Sequence, residues 1–229
     1  MITSFFIHIP KNAGMTIRNS ELLSGRIGTA HKGTHISKEY TQKLEETMRA
    51  SQDGNGYEHA RYRDIDPQWT KKFKAFAIIR NPWSRVVSRY YFAQKLIERM
   101  GKHPVGYADI SSLEAFLEER HIWGDKEFYW HRAIRGWYPA KEHVIDHNGI
   151  VKCDIMRFEH LNEDLQKYFG IGAMTRARNV TFGTIPRPSY TEIYTPKTIQ
   201  TVADWYKDDI DQWGHDFDTS ATKNYWNNK

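Results

Sequence analysis

The sequence predicts an α/β fold, a P-loop-like arrangement of three layers in which a central, mostly parallel sheet is flanked by helices. Residues 5–9 and 73–79 are short apolar runs with the length and composition of buried strands. Each run is followed by a basic residue and then by a helical pattern. Strands that alternate with helices form parallel sheets, and the ligands of such sheets bind beyond the carboxyl ends of the strands.

The chain before the second apolar run is predicted to contain two strands, two helices and a loop. Ser37 is a suitable N-cap for the second helix, because its hydroxyl can accept a hydrogen bond from the first helical turn. The predicted bounds are 5–9 for the first strand, 15–23 for the first helix, 28–34 for a short strand with its turn, 37–49 for the second helix, and 51–66 for a polar, glycine-containing loop.

A long helix is predicted directly after residues 73–79. Arg80 ends the strand, Asn81 is placed as the N-cap, and Pro82 is the first helical residue. The apolar residues that follow recur at helical spacing, so one face of this helix should pack on the sheet. They are Trp83, Val86, Val87, Tyr90 and Tyr91.

The second half of the chain continues the alternation of helices and strands. Ser111 and Glu114 have the spacing of a capping box, which predicts a helix that begins there. A strand is predicted at 150–156, and helices at 161–168 and 195–206.

Length and composition favour one domain with anionic ligands. The 229 residues contain no marked linker or repeat, so we expect a single domain over residues 1–229. The net charge of +5 and the pI near 9.1 favour partners such as nucleotides or acidic glycans. The basic residues are spread along the chain, so a solvated surface accounts for most of them, and nucleic acid is not expected as a partner. The sequence favours no oligomeric state.

The cysteine content and the hydropathy of the chain bear on its location. Cys153 is the single cysteine, which excludes an intramolecular disulfide and suits a reducing compartment. No run approaches the roughly 20 apolar residues of a membrane span. We therefore expect a cytoplasmic protein that does not associate with a membrane.

The loop after the first strand has the composition of an anion site. It contains Lys11, Gly14 and Thr16, which supply a mobile charge, a close approach of the backbone and a hydroxyl. The Walker phosphate loop has two glycines and places its lysine after the second one. Here Lys11 precedes the single glycine, so the loop suits a phosphate-like group better than a triphosphate with magnesium.

A second basic site is predicted at the same edge of the sheet. If the strands at 5–9 and 73–79 are neighbours and parallel, Lys11 and Arg80 emerge at one edge. Ser88 lies about two turns into the helix after Arg80, and the two side chains could hold one phosphate from two sides. Arginine suits this role because its planar fork donates two parallel hydrogen bonds.

These two segments together resemble the PAPS-dependent sulfotransferases, in particular the carbohydrate-type branch with its heparan and chondroitin sulfotransferases and microbial relatives. PAPS is 3′-phosphoadenosine-5′-phosphosulfate. The stretch from Pro10 to Thr16 is similar to the family's P-K-x-[AG]-[GS]-T-like loop. The stretch from Arg80 to Tyr90 fits R-[DN]-P-x-x-R-x-x-S-x-Y at every specified position.

The resemblance implies a reaction and a set of ligand-binding residues. It implies transfer of the sulfuryl group from PAPS to a hydroxyl of a glycan or small metabolite. The nucleotide product would be PAP, adenosine 3′,5′-bisphosphate, and no metal would be needed. The first loop would bind the 5′-phosphosulfate, the second segment the 3′-phosphate, and a later arginine would cover the nucleotide. The implied cofactor-binding residues are Lys11, Asn12, Ala13, Gly14, Met15, Thr16, Arg80, Ser88 and Arg187.

In-line sulfuryl transfer also needs positive charge at the leaving phosphate and a base for the acceptor proton. Lys11 is placed for the first role. The glycan sulfotransferases that the chain resembles often place a histidine or glutamate base between the first and third strands, where His31 and His35 lie. His35 is the preferred base, because a strand-to-helix loop just before the second helix would place it at the same edge of the sheet. His31 is the second choice.

Two other functions are compatible with the sequence. One is a P-loop kinase or another nucleoside-phosphate enzyme, and the other is a non-catalytic protein that binds polyanions. Aromatic and basic residues at 128–132 and 135–138 are candidates for an acceptor-binding wall. Packing of these residues in the core is an equally good interpretation.

Overall fold

The fold is a three-layer α/β arrangement around a four-stranded sheet whose strands are all parallel, as the sequence predicts. The computed structural model describes residues 1–51, 56–101, 109–123, 135–173 and 188–222. The strand order is β2-β1-β3-β4. The strands are β1 (Ser4–Ile7), β2 (Ile27–Thr29), β3 (Lys74–Ile79) and β4 (Asp154–Arg157).

The register of the sheet brings the ends of the two central strands together. Ile7 of β1 pairs with Ala77 of β3, in parallel. β1 is buried throughout, and β3 is buried except at Lys74, as expected of strands covered on both faces. The segments that follow these strands therefore leave the sheet at the same edge, which meets the condition for Lys11 and Arg80 to be neighbours.

Nine α-helices lie within the described ranges. They are α1 (Gly14–Arg18), α2 (Lys38–Ser51), α3 (Pro67–Lys72), α4 (Pro82–Met100), α5 (Leu113–Trp123), α6 (Lys141–Val144), α7 (Leu161–Phe169), α8 (Pro196–Trp205) and α9 (Lys207–Trp213). Side chains alternate between the two faces of the sheet, so Phe5 and Ile7 belong to one apolar cluster while Phe6 belongs to another.

Several predicted bounds differ from the structure. The first helix is shorter than the predicted 15–23, because it ends at Arg18 and a separate 3-10 turn covers Glu21–Leu23. β2 and β4 are shorter than predicted, and the predicted loop at 51–66 contains two 3-10 turns. α3 was not predicted, although Asp66 caps it and Pro67 stands at its first position.

The start of α5 also differs from the prediction. The Ser112 hydroxyl accepts a hydrogen bond from the Ala115 amide at 3.0 Å, so Ser112 caps the helix and not Ser111. The Ser111 hydroxyl donates to Asp109 at 2.6 Å. Glu114 forms an ion pair with Lys197 of α8. A cap one residue away fits the same local pattern, and tertiary contacts decide between the two.

Asn81 connects the start of α4 to the end of the described chain. Its side-chain oxygen accepts from the Ser84 amide at 3.1 Å, which caps the helix as predicted. Its amide nitrogen lies within hydrogen-bond distance of three carbonyls, those of Asp216 at 2.9 Å, Phe217 at 3.3 Å and Thr219 at 2.8 Å. Asn81 is buried, and the Phe217 carbonyl also accepts from the Tyr190 hydroxyl at 2.9 Å.

Replacing Asn81 with alanine is expected to lower the free energy of unfolding by about 1–3 kcal/mol, since it removes a helix cap and the hydrogen bonds that join α4 to residues 216–219. Urea denaturation measures this loss. Asn148 is exposed, so Asn148→Ala is the matched control and should change little. A loss below about 0.5 kcal/mol for Asn81→Ala would contradict the proposed importance of these hydrogen bonds.

Candidate functional site

The loop between β1 and α1 has an unusual backbone conformation. Lys11 and Ala13 both have positive φ angles, 68° and 59°, and neither is glycine. Such residues are uncommon and persist where surrounding contacts hold them in place. A backbone of this kind can turn successive amides toward one point, which is how anion-binding loops are built.

Three side chains hold this loop against the centre of the protein. The Asn12 amide donates to the Ile78 carbonyl of β3 at 2.8 Å. Arg80 donates from Nη1 to the Lys11 carbonyl at 3.2 Å. Arg85 donates from Nε to the Pro10 carbonyl at 3.2 Å. The loop therefore takes its shape from β3 and the start of α4 as well as from its own sequence.

The side chain of Asn12 has a structural contact in this arrangement. Only 1% of Asn12 is exposed, and its amide is directed to β3. Sequence reasoning included Asn12 among the ligand-binding residues, and its backbone can still serve in that way. Met15 is 39% exposed, while Thr16 is buried at the start of α1.

Gly14 lies against the imidazole of His8. A Cβ atom added to Gly14 would lie 1.7 Å from Nε2 of His8, so a larger residue here would displace either the ring or the loop. His8 is 5% exposed, and burial holds its pKa well below the usual range of histidine. The neighbouring charge of His59 acts in the same direction. The His8 imidazole is therefore neutral at pH 7 and packs under the loop as a flat polar ring.

Lys11 and Arg80 lie at the same edge of the sheet, as predicted. The Lys11 Nζ lies 4.1 Å from the centre of the Phe92 ring in α4. The Arg80 guanidinium lies 4.2 Å from the Phe158 ring, and its Nε donates to the Ser84 hydroxyl at 2.9 Å. Aromatic faces favour cations electrostatically, so each of these rings stabilises the charge beside it.

Burial changes the acidity of Arg80 without removing its charge. Loss of water lowers the pKa of Arg80 to about 10, although the nearby Glu159 carboxylate opposes this change. The guanidinium is therefore still protonated at neutral pH. Burial raises the pKa of Glu159, whose Oε1 accepts a hydrogen bond from the backbone N–H of Asn81 at 2.8 Å. A half-buried cation in this position favours an anionic ligand, because the ligand would replace the lost interaction with water.

Ser88 and Arg187 complete the predicted nucleotide-binding set. Ser88 is half-buried in α4, one helical turn beyond Ser84, which hydrogen-bonds to Arg80. Arg187 lies outside the described residues, as do residues 128–132 of the predicted acceptor wall.

The described part of that wall is mainly core. Trp137 is 1% exposed, and its ring centre lies 5.2 Å from that of Phe116. Its carbonyl accepts from the Tyr206 hydroxyl at 2.8 Å and from the Trp205 indole at 3.0 Å. The alternative interpretation, packing in the core, therefore applies to Trp137.

His35 and His31 lie near the end of β2. The Nδ1 of His35 hydrogen-bonds to the Thr29 carbonyl, and its ring centre lies 3.9 Å from that of Trp69 and 5.8 Å from that of Phe5. His31 is exposed, and its Nδ1 contacts the Lys32 carbonyl at 2.9 Å. The two imidazole centres are 6.2 Å apart.

Sequence reasoning missed Arg85 as a tether of the loop and His59 as a neighbour of it. Arg85 was visible in the sequence as part of the pattern that follows β3. Its acceptors are backbone carbonyls, which carry no sequence signal. His59 lies in a segment predicted only as loop, and its Nδ1 hydrogen-bonds to the His8 carbonyl at 2.9 Å.

Two negative findings apply to the described ranges only. None of their helices is both long enough and apolar enough to cross a membrane. Within the same ranges, no three or more His, Cys, Asp or Glu side chains are grouped so that they could hold a metal ion.

The parallel sheet thus has a lysine-containing loop and a half-buried arginine at its carboxyl edge, where the ligands of such sheets bind. Residues 4–216 match the family model described as "Sulfotransferase family", and the chain therefore belongs to the sulfotransferase family. Searches of the curated proteins and of the solved structures found no match. The protein is thus a transferase of sulfuryl groups, and sulfotransferases generally act on hydroxyl acceptors.

Proposed function

We propose that this protein transfers the sulfuryl group of PAPS to a hydroxyl of a glycan or small metabolite, as a member of the carbohydrate-type branch. The observation that carries the proposal is the hydrogen bond from Arg80 to the carbonyl of Lys11, which joins the two predicted phosphate sites at one edge of the sheet. The family match supports sulfuryl transfer in general, and PAPS and the hydroxyl acceptor are proposed from the resemblance of the segments after β1 and β3.

The residues present fit a donor with phosphate groups at both ends of its ribose. In the proposal, Lys11, Thr16 and the backbone of residues 12–15 bind the 5′-phosphosulfate. Arg80 and Ser88 bind the 3′-phosphate, and Arg187 covers the nucleotide. The fit is supported by the donor set, which consists of cations, hydroxyls and amides, and by Gly14, whose missing side chain allows the backbone to pack on His8.

Each residue of the site has a defined task in this reaction. PAPS supplies an activated sulfuryl group when it is bound. Lys11 neutralises the negative charge that develops on the bridging oxygen as the bond to sulfur breaks. A histidine takes the proton of the attacking hydroxyl. The tethers from Arg85, Arg80 and Asn12 keep the loop in one geometry, so little reorganisation is needed at the moment of transfer.

The proposal also includes the context in which the enzyme works. We propose one domain over residues 1–229, since the family match covers most of the chain. We also propose a cytoplasmic location, which the single, buried Cys153 supports because it needs no oxidising compartment.

Adenosine 3′,5′-bisphosphate, the product PAP, is expected to raise the melting temperature of the full chain by about 5–10 °C at roughly 100 times its Kd. Lys11→Ala and Arg80→Ala should each remove most of this shift, because each deletes a proposed phosphate contact. Differential scanning fluorimetry measures the shift. Arg49→Ala is the matched control, since Arg49 is exposed on α2 and should keep the full shift.

Three other outcomes would count against the proposal. No shift with the bisphosphate at millimolar concentration would reject PAPS as the donor. A larger shift with ATP and magnesium would indicate a P-loop kinase or another nucleoside-phosphate enzyme. Salt-sensitive binding of heparin that is unchanged in Lys11→Ala, without any nucleotide effect, would indicate a non-catalytic polyanion-binding protein.

A further inference from the structure

His8 and His59 form an imidazole pair at the carboxyl end of β1, beside the loop of residues 10–16. Their ring centres are 4.3 Å apart. The His8 ring also occupies the space next to Gly14, at the start of α1. His8 therefore contacts both His59 and the proposed phosphosulfate loop.

His59 binds the backbone at the point where the strand pairing of β1 ends. Pairing of β1 with β2 ends at Phe6 and Thr29, and pairing with β3 ends at Ile7 and Ala77. The next carbonyl of the chain, that of His8, lies 2.9 Å from the Nδ1 of His59. His59 thus binds the backbone just where the sheet stops and the loop begins.

This hydrogen bond determines which nitrogen of His59 carries the proton. A carbonyl can only accept a hydrogen bond, so Nδ1 must be the protonated nitrogen and Nε2 has a lone pair in the neutral ring. Nε2 lies 3.8 Å from Oε1 of Glu58. A carboxylate at that distance favours the imidazolium that forms when Nε2 takes a proton. The side chain of His59 is 16% exposed, so solvent reaches it.

His35 has the same tautomer but different surroundings. Its Nδ1 is bonded to the Thr29 carbonyl, and its ring packs against Trp69 and Phe5, which belong to the apolar cluster on one face of the sheet. These contacts anchor His35 over the middle of β1, whereas those of His59 anchor it at the end of β1. Geometry therefore favours His59 over His35 as the group nearer the loop.

We propose that His59 is the catalytic base that takes the proton of the acceptor hydroxyl, an inference that rests on the proposed sulfuryl transfer. The acceptor oxygen forms a bond to sulfur while the bond between sulfur and the bridging oxygen breaks. The bridging oxygen keeps the electron pair, and Lys11 stabilises its charge. The hydroxyl proton moves to Nε2 of His59, and the imidazolium later releases it to water.

The charged and titratable groups around His59 come from several elements. Glu58 lies in its own turn, His8 follows β1, and His143 belongs to α6. Arg135 approaches the same turn, because a Cβ on Gly56 would lie 2.5 Å from its Nη1. Burial holds the pKa of His8 and of His143 well below the usual range, so both rings are neutral at pH 7. Among the charged groups of this neighbourhood are Glu58, Arg135 and Arg61.

His59→Asn removes the proposed base, Nε2, but keeps the hydrogen bond to the backbone, because the asparagine amide can still donate to the His8 carbonyl. We expect it to lower the rate of PAPS hydrolysis, with water as the acceptor, about 10²–10⁴-fold. The Kd of adenosine 3′,5′-bisphosphate should stay within about threefold, which also shows that the variant is folded. His147→Asn, at an exposed position, is the control. His35→Asn tests the competing assignment.

A second measurement does not depend on turnover. In the full chain with ¹⁵N-labelled histidine, the bisphosphate should change the Nε2 signal of His59 and leave that of His147 in place. Full activity in His59→Asn, or an unaltered His59 signal with bound bisphosphate, would overturn the proposal. If His59→Asn and His35→Asn are both slow, the pH–rate profiles decide between them. The base is the residue whose loss removes the ascending limb of the profile. If that limb persists in His59→Asn, the assignment of His59 as the base is overturned.

The failure of this inference is distinguishable from the failure of the proposed function. If wild-type protein neither binds the bisphosphate nor releases PAP from PAPS, the proposed function is wrong. If wild-type protein does both and His59→Asn behaves like His147→Asn, only the assignment of the base is wrong.

Discussion

Replacing Lys11 with alanine is expected to slow sulfuryl transfer about 10²–10³-fold, the loss typical when one donor is removed from a developing negative charge. The ammonium group is held in the loop with its Nζ 4.1 Å from the Phe92 ring, and the loop backbone is fixed by contacts that do not involve the Lys11 side chain. The variant should therefore fold normally and lose the charge alone.

The rate at which PAP is released from PAPS measures this effect. The second substrate is water, or a hydroxyl acceptor once one has been identified. Lys11→Arg should restore part of the rate, because it restores a cation at the same place. Lys38→Ala removes an exposed lysine at the start of α2 and should be indistinguishable from wild type. Wild-type rates in Lys11→Ala would remove this lysine from the mechanism.

Replacing Arg85 with methionine is expected to lower the free energy of unfolding by about 3–5 kcal/mol. Arg85 is 2% exposed and donates to two carbonyls, from Nε to Pro10 at 3.2 Å and from Nη1 to Tyr138 at 2.8 Å. Methionine keeps the apolar stem but leaves both carbonyls without this donor. Since the loop loses its tether at Pro10, the affinity for adenosine 3′,5′-bisphosphate should also fall, by about tenfold or more.

The loss in Arg85→Met should depend on pH through Asp209. Burial raises the pKa of Asp209 to about 6, and Arg85 opposes this rise. Without Arg85, the pKa of Asp209 in the folded state would rise further above its value in the unfolded state. An acid with a raised pKa in the folded state favours folding when it is protonated, and that contribution is lost as the pH rises through the folded-state pKa. The deficit of the variant should therefore be larger at pH 8 than at pH 5.

Urea denaturation at pH 5 and pH 8 tests both the loss of stability in Arg85→Met and its dependence on pH. Arg99→Met is the matched control, because Arg99 lies on the same helix and is exposed. Arg85→Lys keeps a positive charge but cannot span both carbonyls, so we expect an intermediate loss of stability and affinity. An equal deficit at pH 5 and pH 8 would show that Asp209 does not respond to Arg85.

The sheet and the common edge of Lys11 and Arg80 follow from local sequence patterns. Apolar runs identify β1 and β3, and the Asn81–Pro82 pair correctly locates the start of α4. These features are encoded by neighbouring residues, which is why they can be read from one sequence. The resemblance to sulfotransferases, carried by the segments after β1 and β3, is confirmed at the level of the family.

The contacts inside the site could not be predicted in the same way. The acceptors of Asn12, Arg80 and Arg85 are backbone carbonyls, and the sequence gives no sign of which carbonyl a side chain will reach. His59 lies in a polar segment without periodicity, and its acceptor is the backbone carbonyl of His8, 51 positions away in the chain. The roles of Lys11, Arg80, Ser88 and the histidines remain predictions until the variants are measured.

The tethers of the phosphate loop have a consequence for folding. They join residues that are 66, 69 and 75 positions apart in the chain. Contacts of such long separation form late relative to local structure, because a long stretch of chain must be closed first. The donor site should therefore not exist in an isolated strand–loop–helix fragment of residues 1–51. It appears when β1 and β3 pair, and a bound nucleotide would slow unfolding by holding those two strands together.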